Sequence, residues 1–387
     1  MRVAFYSRKF IDFFRVFVKQ VFLILLMTLT ACVRKSEKID PQKGVLVKVA
    51  NYTENLGVQL QTVRIKSLTD LSHLIGKNIR FEYLPRVNQR GEQAIFTGRS
   101  VVIQVMENQQ NVFIAENEFS LGLLTAYWHL DQLIEQTKEF GFQDLLHLPF
   151  KVGVVHNNTE GVMNHNNASY LPDYDAILIQ PYSLNAVPIL MNSGIIAHEY
   201  FHMLFQKLIH AHLKSKITTI TKIPDAQFLT ISVSDSNMVY HAVLLRAIEE
   251  GLADFWGWAY SKDEDFVSRS IPNHTGQARR MSDEEISELK SKLELEFLVI
   301  SYLSEKNEVD HNYLQSEVYR IGSRYSRQMK KLAQIHGTQA TQLALLKALS
   351  QLQETDNLLK SDIKLEPDFI IYLTTKELEN NKEKVKR

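Results

Sequence analysis

Gly194-Ile195-Ile196-Ala197-His198-Glu199-Tyr200-Phe201-His202-Met203-Leu204-Phe205 is the stretch on which the reading of this 387-residue chain turns. It is apolar except for three ionisable residues, and it falls in a segment, 186–212, that reads as helical. Two histidines at i and i+4 stack on one helical face. That spacing lets both imidazoles reach one metal ion. Glu199, offset by one position, reaches past such an ion and can act as a general base on a water there. Burying three ionisable groups in an apolar helix without a partner is costly. The competing reading is a polar cluster satisfied within the core.

A third ligand decides the kind of site. The metzincin spacing needs Gly at 205 and His at 208, where this chain has Phe205 and Leu208. Downstream lies Arg246-Ala247-Ile248-Glu249-Glu250-Gly251-Leu252-Ala253-Asp254-Phe255-Trp256-Gly257, within a second helix expected over 239–259. Glu250 and Asp254 are again i and i+4. Glu250 can complete a His₂Glu set, and Asp254 can accept the outer N–H of a ligand histidine, which fixes the ring. Glu249 competes with Glu250 but has no acid four residues on.

These residues resemble the thermolysin-like branch of the gluzincin metallopeptidases. Ala197-His198-Glu199 through His202 matches its HExxH helix, and Ala247 through Gly257 aligns without a gap to its glutamate helix. Asn166-Asn167-Ala168-Ser169-Tyr170 matches the start of its substrate-pairing edge strand. The resemblance covers roughly residues 119–285. It implies an α+β zincin fold and one Zn²⁺ held by His198, His202 and Glu250. It further implies Glu199 as general base, Asp254 behind a ligand histidine, and Asn167 and Ala168 bonding a bound peptide. The family's oxyanion donor falls at Tyr240 or His241, its carbonyl-binding arginine at Arg269 or Arg280, and its later histidine at His311 or His336. A peptide is expected to lie extended along 176–180. Separation of His202 from Glu250 exceeds the family's, so 207–238 reads as an insertion. Calcium-binding acidic clusters are missing, and no structural Ca²⁺ is expected. Tyr319, in an apolar helix, reads as core packing or as a transition-state contact.

Outward from this region the chain divides into further segments. Balanced charge, 44 Lys+Arg against 44 Asp+Glu, argues against a nucleic-acid partner. Aromatic content of 10% argues against disorder. Residues 1–31 hold five bases and one acid, which leaves 39 bases against 43 acids in the rest. Their basic start and short apolar run Val21–Ala31 read as a secretory leader. Leu29-Thr30-Ala31-Cys32 resembles the lipobox of bacterial lipoproteins, which implies a lipid anchor at Cys32, the only cysteine. The competing reading is an uncleaved anchor helix. By resemblance to lipoprotein sorting in enterobacteria, Val33 in place of Asp implies the outer membrane. Residues 32–43 read as a tether, 44–116 as a β-rich region (a prosegment or a permanent part), and 117–260 as the catalytic region. Residues 261–375 read as a helical region and 376–387 as a charged tail that frays.

Two functions fit: a lipid-anchored zinc peptidase acting on peptides or proteins, and a non-catalytic envelope lipoprotein that binds zinc or peptide on the same fold. If Cys32 carries the anchor, Cys32→Ser should move the protein from the membrane to the soluble fraction on cell fractionation.

Overall fold

The computed structural model describes residues 43–53, 57–90, 93–155, 167–180, 186–210, 236–271, 279–281, 311–354 and 367–386. The leader, Cys32, nearly all of the tether, Asn166, the greater part of the insertion and residues 282–310 of the expected helical region lie outside the described residues. None of the described helices is long and apolar enough to cross a membrane.

The chain combines helices with two mixed sheets among the described residues. The smaller sheet has the order β2-β1-β8-β7, from β1 (Val45–Thr53), β2 (Gly57–Ile65), β7 (Val105–Glu107) and β8 (Val112–Ala115). In β1, Val45, Val47 and Val49 alternate into the core, as period-two patterning requires.

The larger sheet runs β10-β11-β9-β5-β4-β3, with β6 also paired to β5. Its strands are β3 (Leu68–Asp70), β4 (Ile75–Gly76), β5 (Ile79–Arg90), β6 (Gln93–Ser100), β9 (Phe150–Val154), β10 (Asn167–Leu171) and β11 (Ala176–Gln180). β9 is parallel to both β5 and β11, with Ile79 opposite Phe150 and Ala176 opposite Lys151. Residues on both sides of position 116 therefore build one sheet, and the region 44–116 shares its backbone hydrogen bonds with the strands beside the site.

Within the β-rich region, residues 101–104 lie outside the ladders: Ile103 N–H donates to the Ser72 carbonyl at 2.9 Å and Gln104 N–H to Ser120 Oγ at 3.0 Å. The expectation of a peptide along 176–180 changes. Strand β11 is flanked by β9 and β10, so its backbone is already paired on both sides. The open edge belongs to β10.

Helix α1 (Glu118–Glu139) is capped by Asn117, whose side chain accepts from the Ser120 amide at 2.8 Å. Its apolar face, Leu123, Tyr127, Leu130, Leu133 and Ile134, is fully buried. Helix α2 (Ser193–Phe205) starts later than the apolar pattern suggests. Pro188 and a short 3₁₀ turn precede it, and Asn192 caps it by accepting from the Gly194 and Ile195 amides. It ends in a π turn, Gln206–His210. Tyr200 of α2 locks onto α1 through a 2.8 Å hydrogen bond to Thr137.

Helix α3 (Ser236–Ser261) is followed by the short α4 (Phe266–Ser270). Phe266 is buried there, and Asn192 Nδ2 donates to its carbonyl at 2.7 Å. Helices α5 (His311–His336), α6 (Thr338–Glu354) and α7 (Phe369–Lys386) complete the chain. Helix α7 runs into the charged tail, and Ile370 and Leu378 are buried along it.

Helices α3 and α5 meet at Gly251 and Gly322. A Cβ on Gly251 would collide with the Gly322 backbone carbonyl, and one on Gly322 would sit 2.9 Å from the Ala247 carbonyl oxygen. Gly251→Ala should therefore destabilise the fold by about 1–3 kcal/mol, read as a lowered melting temperature by circular dichroism.

Candidate metal centre

Helices α2 and α3 lie side by side and bring their ionisable residues into one buried cluster. His198, His202 and Glu250 offer ligand atoms that all lie within 4.8 Å of one another, a group that can hold a metal ion. The two Nε2 atoms are 3.0 Å apart. Glu250 Oε2 lies 3.5 Å from His198 Nε2 and 3.8 Å from His202 Nε2. All three side chains are buried.

Each imidazole is held from behind. His198 Nδ1 lies 3.0 Å from Asp254 Oδ1, and His202 Nδ1 lies 2.8 Å from Glu249 Oε1. A carboxylate on Nδ1 fixes the tautomer that leaves Nε2 with a lone pair aimed inward. Glu249 and Glu250 are thus not rivals. Adjacent positions on a helix point about 100° apart, and the two acids serve different atoms of the same cluster.

The acids are braced in turn. Arg279 grips Asp254 with two bonds, Nη2 to Oδ1 at 2.6 Å and Nε to Oδ2 at 3.0 Å, and its Nη2 lies 3.3 Å from both ring nitrogens of His198. Its guanidinium stacks on Tyr319 of α5, 4.4 Å from the ring centroid. The Tyr319 ring therefore has a polar neighbour at the cluster rather than a purely apolar one. Arg246, partly exposed, contacts Glu250 Oε1 at 2.6 Å and Glu249 Oε2 at 3.3 Å. Among the described residues, two arginines face these carboxylates, and a divalent cation held by His198, His202 and Glu250 would add positive charge beside them.

The titration behaviour shows the same demand. Burial alone would raise the Glu250 carboxyl, but Arg246, His202 and His198 hold it well below the usual carboxylate range. Burial would also raise Asp254, and Arg279 and His198 hold it down. Burial and Arg279 push the His198 imidazole down, yet Asp254 and Glu250 outweigh them and lift it to about 9. Glu199 behaves oppositely: burial pushes its carboxyl up, further than His198, His202 and the Tyr170 amide pull it down. That amide donates to Glu199 Oε2 at 2.8 Å.

Other expected site residues are placed as follows. Asn167 and Ala168 lie on the edge strand β10. In an antiparallel ladder, outward-facing residues alternate. Ala168 therefore presents its backbone to the same side as the Tyr170 N–H that meets Glu199. Tyr240 and His241 fall on α3, but their side chains lie outside the described residues. The backbone of His241 precedes Glu250 by roughly 13 Å of helix rise. Arg269 is engaged by Asp263 and lies over the Tyr52 ring at 5.1 Å. Arg280 pairs with Asp265 at 3.1 Å. The arginines seen on the cluster among the described residues are Arg279 and Arg246. His311 and His336 open and close α5, about 38 Å of helix apart, so at most one could serve the site.

No protein-family model matches this chain, and no curated protein matches it either.

A pH consequence follows for chelator-treated protein. An unfolded histidine titrates near 6.5, whereas His198 keeps its proton to about 9. Its contribution to stability is therefore fully present below about pH 6.5 and lost as pH rises through 9. Glu199, raised by burial, works in the same direction. Urea melts should show lower stability at pH 9 than at pH 6. Saturation with a divalent metal, which replaces the proton, should reduce that difference.

Proposed function

We propose that this chain is a zinc-dependent peptidase, tethered to an envelope membrane through Cys32, that hydrolyses peptide bonds with Glu199 as general base. The observation that carries this reading is the triangle of His198 Nε2, His202 Nε2 and Glu250 Oε2, with sides of 3.0, 3.5 and 3.8 Å. Nitrogen and oxygen ligands at ~2.0–2.1 Å on the vertices of a tetrahedron are about 3.3 Å apart, close to the mean of those sides. Two imidazoles and one carboxylate are also a ligand set that suits zinc in catalytic sites. Bound there, the metal would supply Lewis-acid polarisation and a lowered water pKa.

The chain's own residues do the rest. Asp254 and Glu249 hold the two imidazoles by Nδ1, so neither ring turns as charge changes in the site. The outward backbone of β10 offers an extended peptide a strand to pair with, and there the Ala168 N–H donates to Asn167 Oδ1 at 3.0 Å. Such pairing draws its affinity from main-chain hydrogen bonds and leaves side-chain choice to the pockets alongside. Glu199 stands at that edge, held by the Tyr170 amide, where its carboxylate can accept a proton and return it to the leaving amine. A mostly buried setting keeps water from competing for those bonds.

Glu199→Gln should retain one metal ion per chain and lose turnover by about 10²–10⁴-fold. Metal analysis together with a quenched fluorescent peptide library, run with and without chelator, measures both. Full activity in the variant would end this mechanism. Metal-loaded wild-type protein that cleaves no peptide would point instead to a non-catalytic binder.

A further inference from the structure

The β10–β11 hairpin is joined to the histidine helix at two separate points. At one, the Tyr170 N–H donates to Glu199 Oε2 at 2.8 Å. At the other, Lys207, in the π turn that continues α2, donates to Asp175 Oδ2 at 2.7 Å. The two points are connected within the hairpin, because the Tyr170 hydroxyl donates to Asp175 Oδ1 at 2.9 Å. Tyr170 and Asp175 thereby close a ring of contacts: helix carboxylate, strand amide, phenol, turn carboxylate, helix ammonium.

Three further facts argue that the ring is built. Asp175 sits at φ 47°, a left-handed conformation that a non-glycine residue adopts at some cost. It occupies the turn directly before β11, with one carboxylate oxygen on Tyr170 and the other on Lys207. The Lys207 and Asp175 side chains are 13% and 25% exposed, so their ion pair is largely shielded from water. His147 adds a 2.9 Å contact to Asp175 Oδ2 but is 78% exposed, and a pair so open to solvent contributes little.

We propose that Asp175, Lys207 and the Tyr170 hydroxyl are positioning residues, which set the gap between the edge strand and the histidine helix and so aim the Glu199 carboxylate. None of them touches the cluster. They act through the Tyr170 amide, the one backbone group shared by the strand a peptide would pair with and the base that would attack it. Misplacing a reacting group by about 1 Å can cost a hundredfold in rate. The ring fixes the separation of strand and base from both ends. The consequence for turnover rests on the hydrolytic reading of Glu199; the clamp itself does not.

The test uses full-length, zinc-loaded protein. Asp175→Asn breaks the link to Lys207 while suiting the left-handed turn, and Tyr170→Phe breaks the link inside the hairpin. Hydrogen exchange, resolved to single amides by mass spectrometry, should show the Tyr170 amide exchanging about tenfold faster in each variant. The amides of α2 and the melting temperature should stay as in wild type. On the quenched peptide library, kcat should fall about ten- to a hundredfold with KM within about twofold, and Asp175→Glu should restore part of it. Unchanged exchange at Tyr170, or a rise in KM with kcat preserved, would overturn the proposal. If wild-type protein cleaves no peptide, the hydrolytic reading fails while the exchange rates still decide the clamp.

Discussion

A carboxylate buried in protein survives as a charge only where something positive meets it. Helix α3 places three such acids, Glu249, Glu250 and Asp254, within two turns on its buried side. That arrangement cannot stand alone. It requires the imidazoles of α2 in front and the guanidinium groups of Arg246 and Arg279 behind, each at hydrogen-bonding distance. The demand fixes how α2 and α3 lie against each other. Much of the surrounding construction serves it: the Asn192 cap that ties the start of α2 to α4, the Tyr200 hydroxyl on α1, and the glycine contact that brings α5 against α3.

The heart of this cluster was legible because helical periodicity determines which residues share a face. His198, His202, Glu250 and Asp254 follow from two i, i+4 pairs, and the structure joins them. Glu249 was harder. Read along the sequence it looked like an alternative to its neighbour, and only the pairing of two helices reveals that a second histidine needs its own acid. Arg279 gave no periodic signal at all. It lies in a short irregular stretch, and its contact with Asp254 spans 25 positions. Arg269 and Arg280 were chemically equal candidates, and each meets a nearby acid, Asp263 and Asp265.

The sheet shows the same division. Apolar strands such as Lys151–Val154 and Ala176–Gln180 stand out by composition. Their order does not, since it depends on which strands pair across long separations. β11 looked like a free edge because it is apolar and follows a loop. The short, polar β10 takes that place instead, and an edge strand needs little apolar content since one side meets solvent or ligand. β6 and α7 went unread for a related reason: both carry many polar residues, and neighbouring elements rather than their own pattern decide their structure.

The parallel pairing of β5 with β9 reaches further than architecture. Residues 79–83 must wait for 150–154 before their ladder can close, and β9 then waits for β11. Contacts so distant along the chain form slowly, since loop closure must precede any gain from them. Both metal-binding helices come later still in synthesis. The acids and imidazoles can therefore meet only after residues 68–180, which carry the larger sheet, have been made. A nascent chain arrested before α3 would hold its histidines with no acid behind them.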